Sequence, residues 1–154
     1  LWDVGAGSGS VGLEASLLLG KGHILAVEKN RERAAKIAAN RDKFRVGNLE
    51  VICGRAPECL TALPPPDRVF IGGGGGALED ILREVLRRLR AGGKVALNAT
   101  RLETLEEARR VLLQENWLVD VVQLQVSRVQ PLSGGSFLQA LNPVWIVTGQ
   151  AQKR

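Results

Sequence analysis

The sequence is poor in the residues from which metal sites and disulfide frameworks are built. Its 154 residues include two cysteines and one histidine. Cys53 and Cys59 lie six positions apart and His23 is far from both, a spacing that matches no zinc motif. We therefore expect no metal centre, and we expect both cysteines to be reduced, partly buried residues of a cytoplasmic protein.

Long apolar runs are also missing. No stretch approaches the roughly 20 consecutive apolar residues of a membrane-spanning helix, which excludes a membrane-embedded protein. With 45% apolar and 24% charged residues, the chain has the composition of one globular domain. There is no initiator methionine, and Leu1 already belongs to the first apolar run, so we expect residues 1–154 to be one domain of a larger gene product.

Positive charge is in excess but is not concentrated in one segment. The net charge of +5 favours an anionic partner without identifying it. Glu79 with Arg83 and Glu84 with Arg88 have the i,i+4 spacing of helical ion pairs. We interpret much of the charge as a solvated helix face and do not expect nucleic acid as the partner.

Short apolar runs alternate with amphipathic segments as far as Trp117. This rhythm predicts an α/β fold, in which a mostly parallel sheet has helices on both faces. Thr100 and Glu103 have the spacing of a capping box for the helix that follows them. Two extended segments, 119–129 and 139–149, come last. The linker between them is too short for a crossover helix, so they are predicted to pair antiparallel as a hairpin at one edge.

The first glycine-rich loop, "DVGAGSGSVG" at 3–12, is predicted to lie between the first strand and the first helix. Gly5 ends the strand, and in the series Gly5, Gly7, Gly9 the third glycine comes one place too early for a dinucleotide fingerprint. With Asp3 before it, the loop resembles the acidic-x-Gly-x-Gly-x-Gly signature of class I S-adenosylmethionine methyltransferases. This resemblance implies a Rossmann-like sheet, and cofactor contacts from Gly5, Ala6, Gly7, Ser8 and Gly9.

Two further positions are candidates for holding the adenosine part of a cofactor. Glu28 ends the second strand, where a carboxylate can accept hydrogen bonds from ribose hydroxyls of either NAD or S-adenosylmethionine. After the third strand, Gly54-Arg55-Ala56 occupies the place where methyltransferases hold adenine. Many of those enzymes have an acidic residue where this chain has Arg55, so the backbone of Ala56 is the candidate contact.

The fourth strand is followed by five glycines, in "FIGGGGG" at 70–76. Methyltransferases that act on exocyclic amines have Asn/Asp-Pro-Pro-aromatic at this place, and its absence argues against amine methylation. We interpret Gly72 and Gly73 as substrate-site positions whose bare backbone leaves room for a wide, flat substrate. The alternative is a flexible loop that caps the next helix.

The resemblance becomes narrower when the motifs are taken together. The segments "DVGAGSGSV", "AVEKN", "NLEVICGRAPE", "FIGGGGG", "LNATRLETLEEA", "QLQVSR" and "ALNPVWIVTG" resemble the decarboxylating precorrin or cobalt-precorrin methyltransferases of cobalamin biosynthesis. The resemblance covers nearly the whole chain. It implies methylation of carbon-15 of a reduced tetrapyrrole and loss of carbon dioxide from the ring C acetate.

Organisation and substrate contacts are also implied by this resemblance. Members are stand-alone enzymes or the C-terminal half of a two-domain enzyme, they tend to form tetramers, and they place a cofactor contact in a segment before the first strand that is absent from residues 1–154. The substrate has many carboxylates, for which Arg128 is a candidate clamp. Asn98 is a candidate for the same cleft, or a capping residue near Thr100.

Three other functions remain open at the level of sequence. A tRNA adenine-N1 methyltransferase would have the same sheet, but Gly72 and Gly73 stand where an acidic residue would favour it. A cofactor-binding module without chemistry is opposed by the complete first loop and by Glu28. An NAD-dependent oxidoreductase is opposed by Asp3 and by the glycine spacing.

Overall fold

A computed structural model describes residues 1–74 and 76–151. The strands are β1 (Trp2–Val4), β2 (Ile24–Glu28), β3 (Leu49–Cys53), β4 (Arg68–Ile71), β5 (Lys94–Ala99), β6 (Trp117–Leu124), β7 (Ser127–Leu132), β8 (Gly135–Ala140) and β9 (Val144–Ala151). The helices are α1 (Ser10–Leu18), α2 (Arg31–Lys43), α3 (Leu78–Arg88) and α4 (Leu102–Gln114), with a short 3-10 helix at Glu58–Ala62.

Seven strands form one sheet in the order β3-β2-β1-β4-β5-β9-β6. The first five are mutually parallel, and β9 runs antiparallel to both of its neighbours. The predicted fold class is confirmed: a Rossmann-like, mostly parallel seven-stranded sheet with antiparallel pairing at its C-terminal end.

The end of the chain differs in detail from the predicted hairpin. The two extended segments do pair antiparallel, but β9 inserts between β5 and β6 and is not an edge strand. The residues between them fold into a separate two-stranded ribbon, β7 with β8, which we call the arm (residues 127–140). β9 and the arm differ in burial. Val147 of β9 is fully buried, whereas every residue of β8 is exposed.

The core has two layers, one on each face of the sheet. Side chains alternate along β1, so Trp2 and Val4 point to the layer under α3 and α4. The smaller layer under α1 and α2 contains Leu13, Ile24 and Ile37. This two-sided burial explains why β1 and β2 are apolar at nearly every position and makes their acidic residues exceptional.

The starts of α2 and α4 differ in how they are capped. Asn30 caps α2 by accepting a hydrogen bond from the Arg33 amide at 2.9 Å. The capping box predicted for Thr100 and Glu103 is wrong. Because α4 begins at Leu102, the cap position falls on Arg101, which makes no side-chain cap bond and pairs with Glu103 instead.

One of the two predicted ion pairs on α3 forms. Glu79 contacts Arg83 at 2.9 Å, whereas Glu84 pairs with Arg87 and not with Arg88. The Arg88 side chain turns inward, where it donates to the Leu63 carbonyl and lies 5.9 Å from the Trp2 ring centroid.

The structure tests the predicted burial of the cysteines and the predicted absence of a membrane-spanning helix. Cys59 is half-buried as predicted, but Cys53 is exposed because it is the last residue of β3, and both are free thiols. Within residues 1–74 and 76–151, none of the helices is both long enough and apolar enough to cross a bilayer.

Candidate functional site

The carboxyl ends of β3, β2, β1 and β4 lie side by side at one edge of the sheet. A cavity of about 360 Å³ opens along this edge, with lining residues that follow each of the four strands. β2 lies on one side of β1 and β4 lies on the other, so the direction of the strand order reverses at β1. Ligands of open α/β sheets bind at such a point.

The first loop is held in place by its own backbone. The Gly5 and Ala6 amides both donate to the Val27 carbonyl, at 2.9 and 3.0 Å, which ties the loop to the end of β2. Gly5 has a φ of +71°, a conformation that side chains disfavour. A side chain at Gly9 would lie 2.8 Å from Cγ2 of Ile37, so the loop lies directly on α2.

Glu28 is buried with 4% of its surface exposed, yet it lines the cavity. Its Oε2 accepts a hydrogen bond from the Gly7 amide and its Oε1 accepts one from the Asn30 amide, both at 2.9 Å. A carboxylate oxygen can accept more than one bond, so each oxygen still has acceptor capacity. The arrangement suits a ligand that presents two neighbouring hydroxyl groups.

A second buried carboxylate lies beneath the loop. Asp3 is 1% exposed, and its Oδ2 accepts a hydrogen bond from the Gly12 amide at 2.9 Å. Its Oδ1 has no hydrogen-bond partner among the described residues. Burial raises the pKa of Asp3 to about 6, with a smaller contribution from the charge of Glu28, while the bond from Gly12 acts in the opposite direction. Asp3 therefore positions the start of α1 and does not line the cavity.

The glycines after β4 pack against the first loop. The Gly72 amide donates to the Val4 carbonyl at 2.8 Å. A side chain at Gly5 would lie 2.7 Å from the Gly73 carbonyl oxygen, and one at Gly72 would lie 3.0 Å from that of Gly5. The two loops thus meet backbone to backbone, a reason for glycine that sequence reasoning missed because it requires the β1–β4 pairing.

The remaining glycines of the run have different surroundings. A side chain at Gly73 would meet nothing within 4 Å, so the space beside it is open, whereas at Gly74 it would meet Leu78 of α3. Gly72, Gly73 and Gly74 all line the cavity. Gly75 lies outside the described residues.

The other end of the cavity has a cationic rim. Lys29, Arg33 and Arg55 line it, and Ala56 lies half-buried beside them. Glu28 is the one acidic residue in the described lining. The sequence placed Arg55 and Ala56 at this end, but it did not indicate that Lys29 and Arg33 would face the same space.

Asn98 and Arg128 lie away from the lining of this cavity. Asn98 is exposed near the end of β5, opposite Ile146 of β9. Arg128 is exposed in the arm, opposite Gln139. Because β6 runs parallel to β5, the arm leaves the sheet at the same edge as the cavity, which places both residues on the cavity side of the molecule.

Comparisons with known proteins point to one family. The family model described as a precorrin methyltransferase domain matches residues 1–149. The cobalt-precorrin-6B C(15)-methyltransferase (decarboxylating) of Salmonella typhi is 34% identical over 154 residues, 99% of this chain and 79% of the relative.

Two further similarities differ in how much of the other protein they cover. The precorrin-6Y C(5,15)-methyltransferase [decarboxylating] of a Sinorhizobium species is 34% identical over 94% of this chain, which corresponds to 34% of the relative. The crystal structure of precorrin-6y C5,15-methyltransferase from Geobacter metallireducens matches with a TM-score of 0.91 and 42% identity, over 97% of this chain and 79% of that one.

Proposed function

The chain belongs to the precorrin methyltransferase family, and on that premise we propose that it methylates carbon-15 of a precorrin or cobalt-precorrin in cobalamin biosynthesis. In the same reaction, the ring C acetate of the tetrapyrrole loses its carboxyl group as carbon dioxide. The observation that carries this proposal is the near full-length match to decarboxylating methyltransferases, joined to a cavity at the carboxyl edge whose residues suit a nucleoside. We further propose that residues 1–154 form one methyltransferase domain.

We propose S-adenosylmethionine as the methyl donor. The cavity volume of about 360 Å³ lies in the range of small-molecule sites. Buried Glu28, with an acceptor position left on each oxygen, would hold the two ribose hydroxyls. The first loop would hold the methionine end with Gly5, Ala6, Gly7, Ser8 and Gly9, and the Ala56 backbone would contact the base.

The chemistry assigned to the chain is binding and alignment. When bound, S-adenosylmethionine supplies a methyl group on a sulfonium, whose sulfur keeps the bonding electron pair when the methyl leaves. Loss of carbon dioxide delivers the C–C bonding pair through the conjugated macrocycle to carbon-15, which uses it to form the new bond to the methyl. The methylene left on ring C becomes a methyl group by a proton shift from the macrocycle, so no net proton is taken up. Gly72 and Gly73 have no side chains, so nothing there would separate the substrate from the methyl group. The chain would contribute by holding the reacting atoms close together.

The tetrapyrrole carboxylates are assigned to the cavity side of the molecule. We propose Arg128 as a clamp for a substrate carboxylate and Asn98 as a polar contact in the same cleft, because both lie at the edge where the arm leaves the sheet. Nucleic acid is not proposed as a substrate, since several arginines of α3 and α4 are already paired with carboxylates.

We also propose that the protein is a cytoplasmic homotetramer assembled through the arm. Two-stranded ribbons are marginally stable on their own, and this one exposes apolar side chains on both strands. Val129 and Leu138, which are cross-strand partners, are 68% and 69% exposed. The two free thiols are in keeping with a reducing compartment.

Isothermal titration of the full-length protein tests the proposal. We expect S-adenosylhomocysteine to bind, and a polycarboxylate tetrapyrrole to bind to that complex. Binding of tRNA with a steep salt dependence, and no binding of tetrapyrrole, would replace the proposal with a nucleic-acid methyltransferase. If S-adenosylhomocysteine does not bind, the proposal that the chain is a methyltransferase would be wrong.

A further inference from the structure

The two faces of the arm carry different side chains. In an antiparallel ribbon, residues paired across the strands point to the same side, and successive residues along a strand alternate between the two sides. Val129 pairs with Leu138, so one face presents these two aliphatic side chains, and it is the face proposed above for assembly. The residues on either side of Val129 belong to the opposite face.

The opposite face, which we call the mixed face, includes Arg128, Gln130, Phe137 and Gln139. Arg128 pairs with Gln139, and Gln130 pairs with Phe137. Arg128 and Phe137 are therefore diagonal neighbours, a separation that long and aromatic side chains can bridge. Phe137 is 46% exposed, and Arg128 takes part in none of the ion pairs formed within residues 1–74 and 76–151. A cation and an exposed aromatic ring thus lie next to each other on one surface.

The mixed face lies on the same side of the sheet as Asn98. Asn98 of β5 and Val122 of β6 are in one row across the sheet, on either side of β9, so both point to the same side. The ladder continues beyond β6, because the Leu141 amide donates to the Val126 carbonyl at 2.8 Å. Every second residue from Val122 onward therefore shares its side, which leads through Val126 to Arg128.

The distance from the glycine segment after β4 to the arm fits one tetrapyrrole. Three strand spacings separate β4, which precedes Gly72 and Gly73, from β6, which leads into the arm. At about 4.8 Å per spacing, this is roughly 14 Å along the carboxyl edge. A tetrapyrrole ring with its carboxylate side chains has a width of this order, so one molecule can lie at the glycine segment and reach the arm.

A tetrapyrrole also presents the groups that the mixed face complements. Its conjugated ring can stack on an aromatic side chain, and its carboxylates can pair with arginine and accept hydrogen bonds from side-chain amides. We propose that the mixed face binds the tetrapyrrole, with Phe137 against the plane of the ring, Arg128 at a carboxylate, and Gln130 and Gln139 as donors to further carboxylates. The inference rests on the proposed function, and it adds Phe137 and the two glutamines to the residues of the substrate site.

The test removes the aromatic ring and measures each ligand separately. The full-length protein is titrated, in the presence of S-adenosylhomocysteine, with a precorrin and with a cobalt-precorrin, and the tetrapyrrole that binds more tightly is used for the variants. Phe137→Ala is expected to weaken tetrapyrrole binding about tenfold, through the lost stacking. Phe137→Tyr keeps the ring and should bind nearly as tightly as the unchanged protein. The affinity for S-adenosylhomocysteine should be the same in all three proteins.

Phe44→Ala is the matched control, because it makes the same truncation at a 61% exposed phenylalanine at the end of α2. It should leave both affinities unchanged. Phe137→Ala should also sediment like the unchanged protein, because Phe137 lies on the face opposite to Val129 and Leu138. This measurement separates a loss of substrate contact from a loss of assembly.

Three results would overturn the inference and leave the proposed function in place. They are an unchanged tetrapyrrole affinity in Phe137→Ala, an equal loss in Phe44→Ala, and a loss in Phe137→Ala that accompanies a change of assembly. If neither tetrapyrrole binds the unchanged protein, the proposed function is wrong and the inference is lost with it.

Discussion

Two acidic side chains are buried at the carboxyl edge, and the backbone supports them unequally. Glu28 accepts an amide hydrogen bond on each oxygen, whereas Asp3 accepts one on Oδ2 and leaves Oδ1 without a partner in the described chain. An unpartnered buried oxygen disfavours the charged form of a carboxyl group. Asp3 is therefore a carboxyl group whose ionisation the fold opposes.

Asp3 is expected to make the protein less stable as the pH rises. Its pKa is raised from 3.8 to about 6 in the folded state, so the folded protein keeps a proton that the unfolded chain loses first. The stabilisation is complete below pH 3.8 and is lost as the pH rises through 6. The raised pKa corresponds to about 3 kcal/mol of unfolding free energy.

Urea unfolding of the protein and of Asp3→Asn, across this pH range, checks the prediction. The variant lacks this titration, so its unfolding free energy should improve relative to the unchanged protein as the pH rises. Asp120→Asn, an exposed site on β6, controls for the removal of a carboxylate. Parallel pH profiles for the protein and Asp3→Asn would show that Asp3 is ionised without penalty.

Gly5 is predicted to be a position where alanine is not tolerated. Alanine there would combine a positive φ with a contact of 2.7 Å to the Gly73 carbonyl oxygen. We expect a loss of about 2–4 kcal/mol in unfolding free energy, from backbone strain and overpacking together.

Gly92→Ala is the control for this prediction, because Gly92 also has a positive φ but a side chain there would meet nothing within 4 Å. Its loss should be limited to the strain of about 1–2 kcal/mol. Equal losses in the two variants, measured by urea unfolding, would mean that the packing of the two glycine loops does not contribute.

Among the elements of the fold, the glycine segment after β4 is proposed to form the part of the site that holds the substrate, while the loop after β1 holds the cofactor. Gly73→Val adds a side chain where the structure has open space, so the fold should accept it. We expect the affinity for the tetrapyrrole to fall about tenfold or more, since the added bulk stands where the flat substrate would lie, and the affinity for S-adenosylhomocysteine to fall less.

Gly47→Val, which adds the same side chain at another open position, should affect neither affinity. Titration of both variants with the tetrapyrrole and with S-adenosylhomocysteine measures the two affinities. Equal weakening of both ligands by Gly73→Val would reject the proposed division of the site.

The sequence predicted elements better than it predicted their ends and partners. The parallel sheet followed from the alternation of apolar runs and amphipathic segments, because burial of both sheet faces leaves that pattern. The capping box at Thr100 failed because α4 begins at Leu102, one residue later than that spacing requires. The contact between Gly5 and Gly73 was out of reach for a different reason, since 68 positions separate the two residues.

The arm shows a different limit of sequence reasoning. The sequence pattern predicts strands over 119–129 and 139–149 with residues 130–138 as a linker, whereas the structure pairs residues 127–132 with residues 135–140 as a ribbon. The local sequence does not show which surface an exposed ribbon such as the arm packs against. That information belongs to the whole molecule.

At the scale of the whole molecule, the arm is predicted to assemble the protein. Sedimentation velocity of the full-length protein should show a tetramer, and Val129→Lys with Leu138→Lys should give smaller species, because charges would be buried at the interface. Leu113→Lys, at a 52% exposed site on α4, should leave the tetramer intact. A monomeric unchanged protein, or a double variant that remains tetrameric, would remove the arm from the assembly.

Methylation coupled to decarboxylation is tested by mass spectrometry of the tetrapyrrole after incubation with the full-length protein and S-adenosylmethionine, using precorrin and cobalt-precorrin substrates in parallel. We expect one product, whose mass shows the gain of one methyl group and the loss of one carboxyl group, formed together with S-adenosylhomocysteine. A substrate recovered unchanged from both incubations, or methylated with all its carboxyl groups retained, would contradict this expectation.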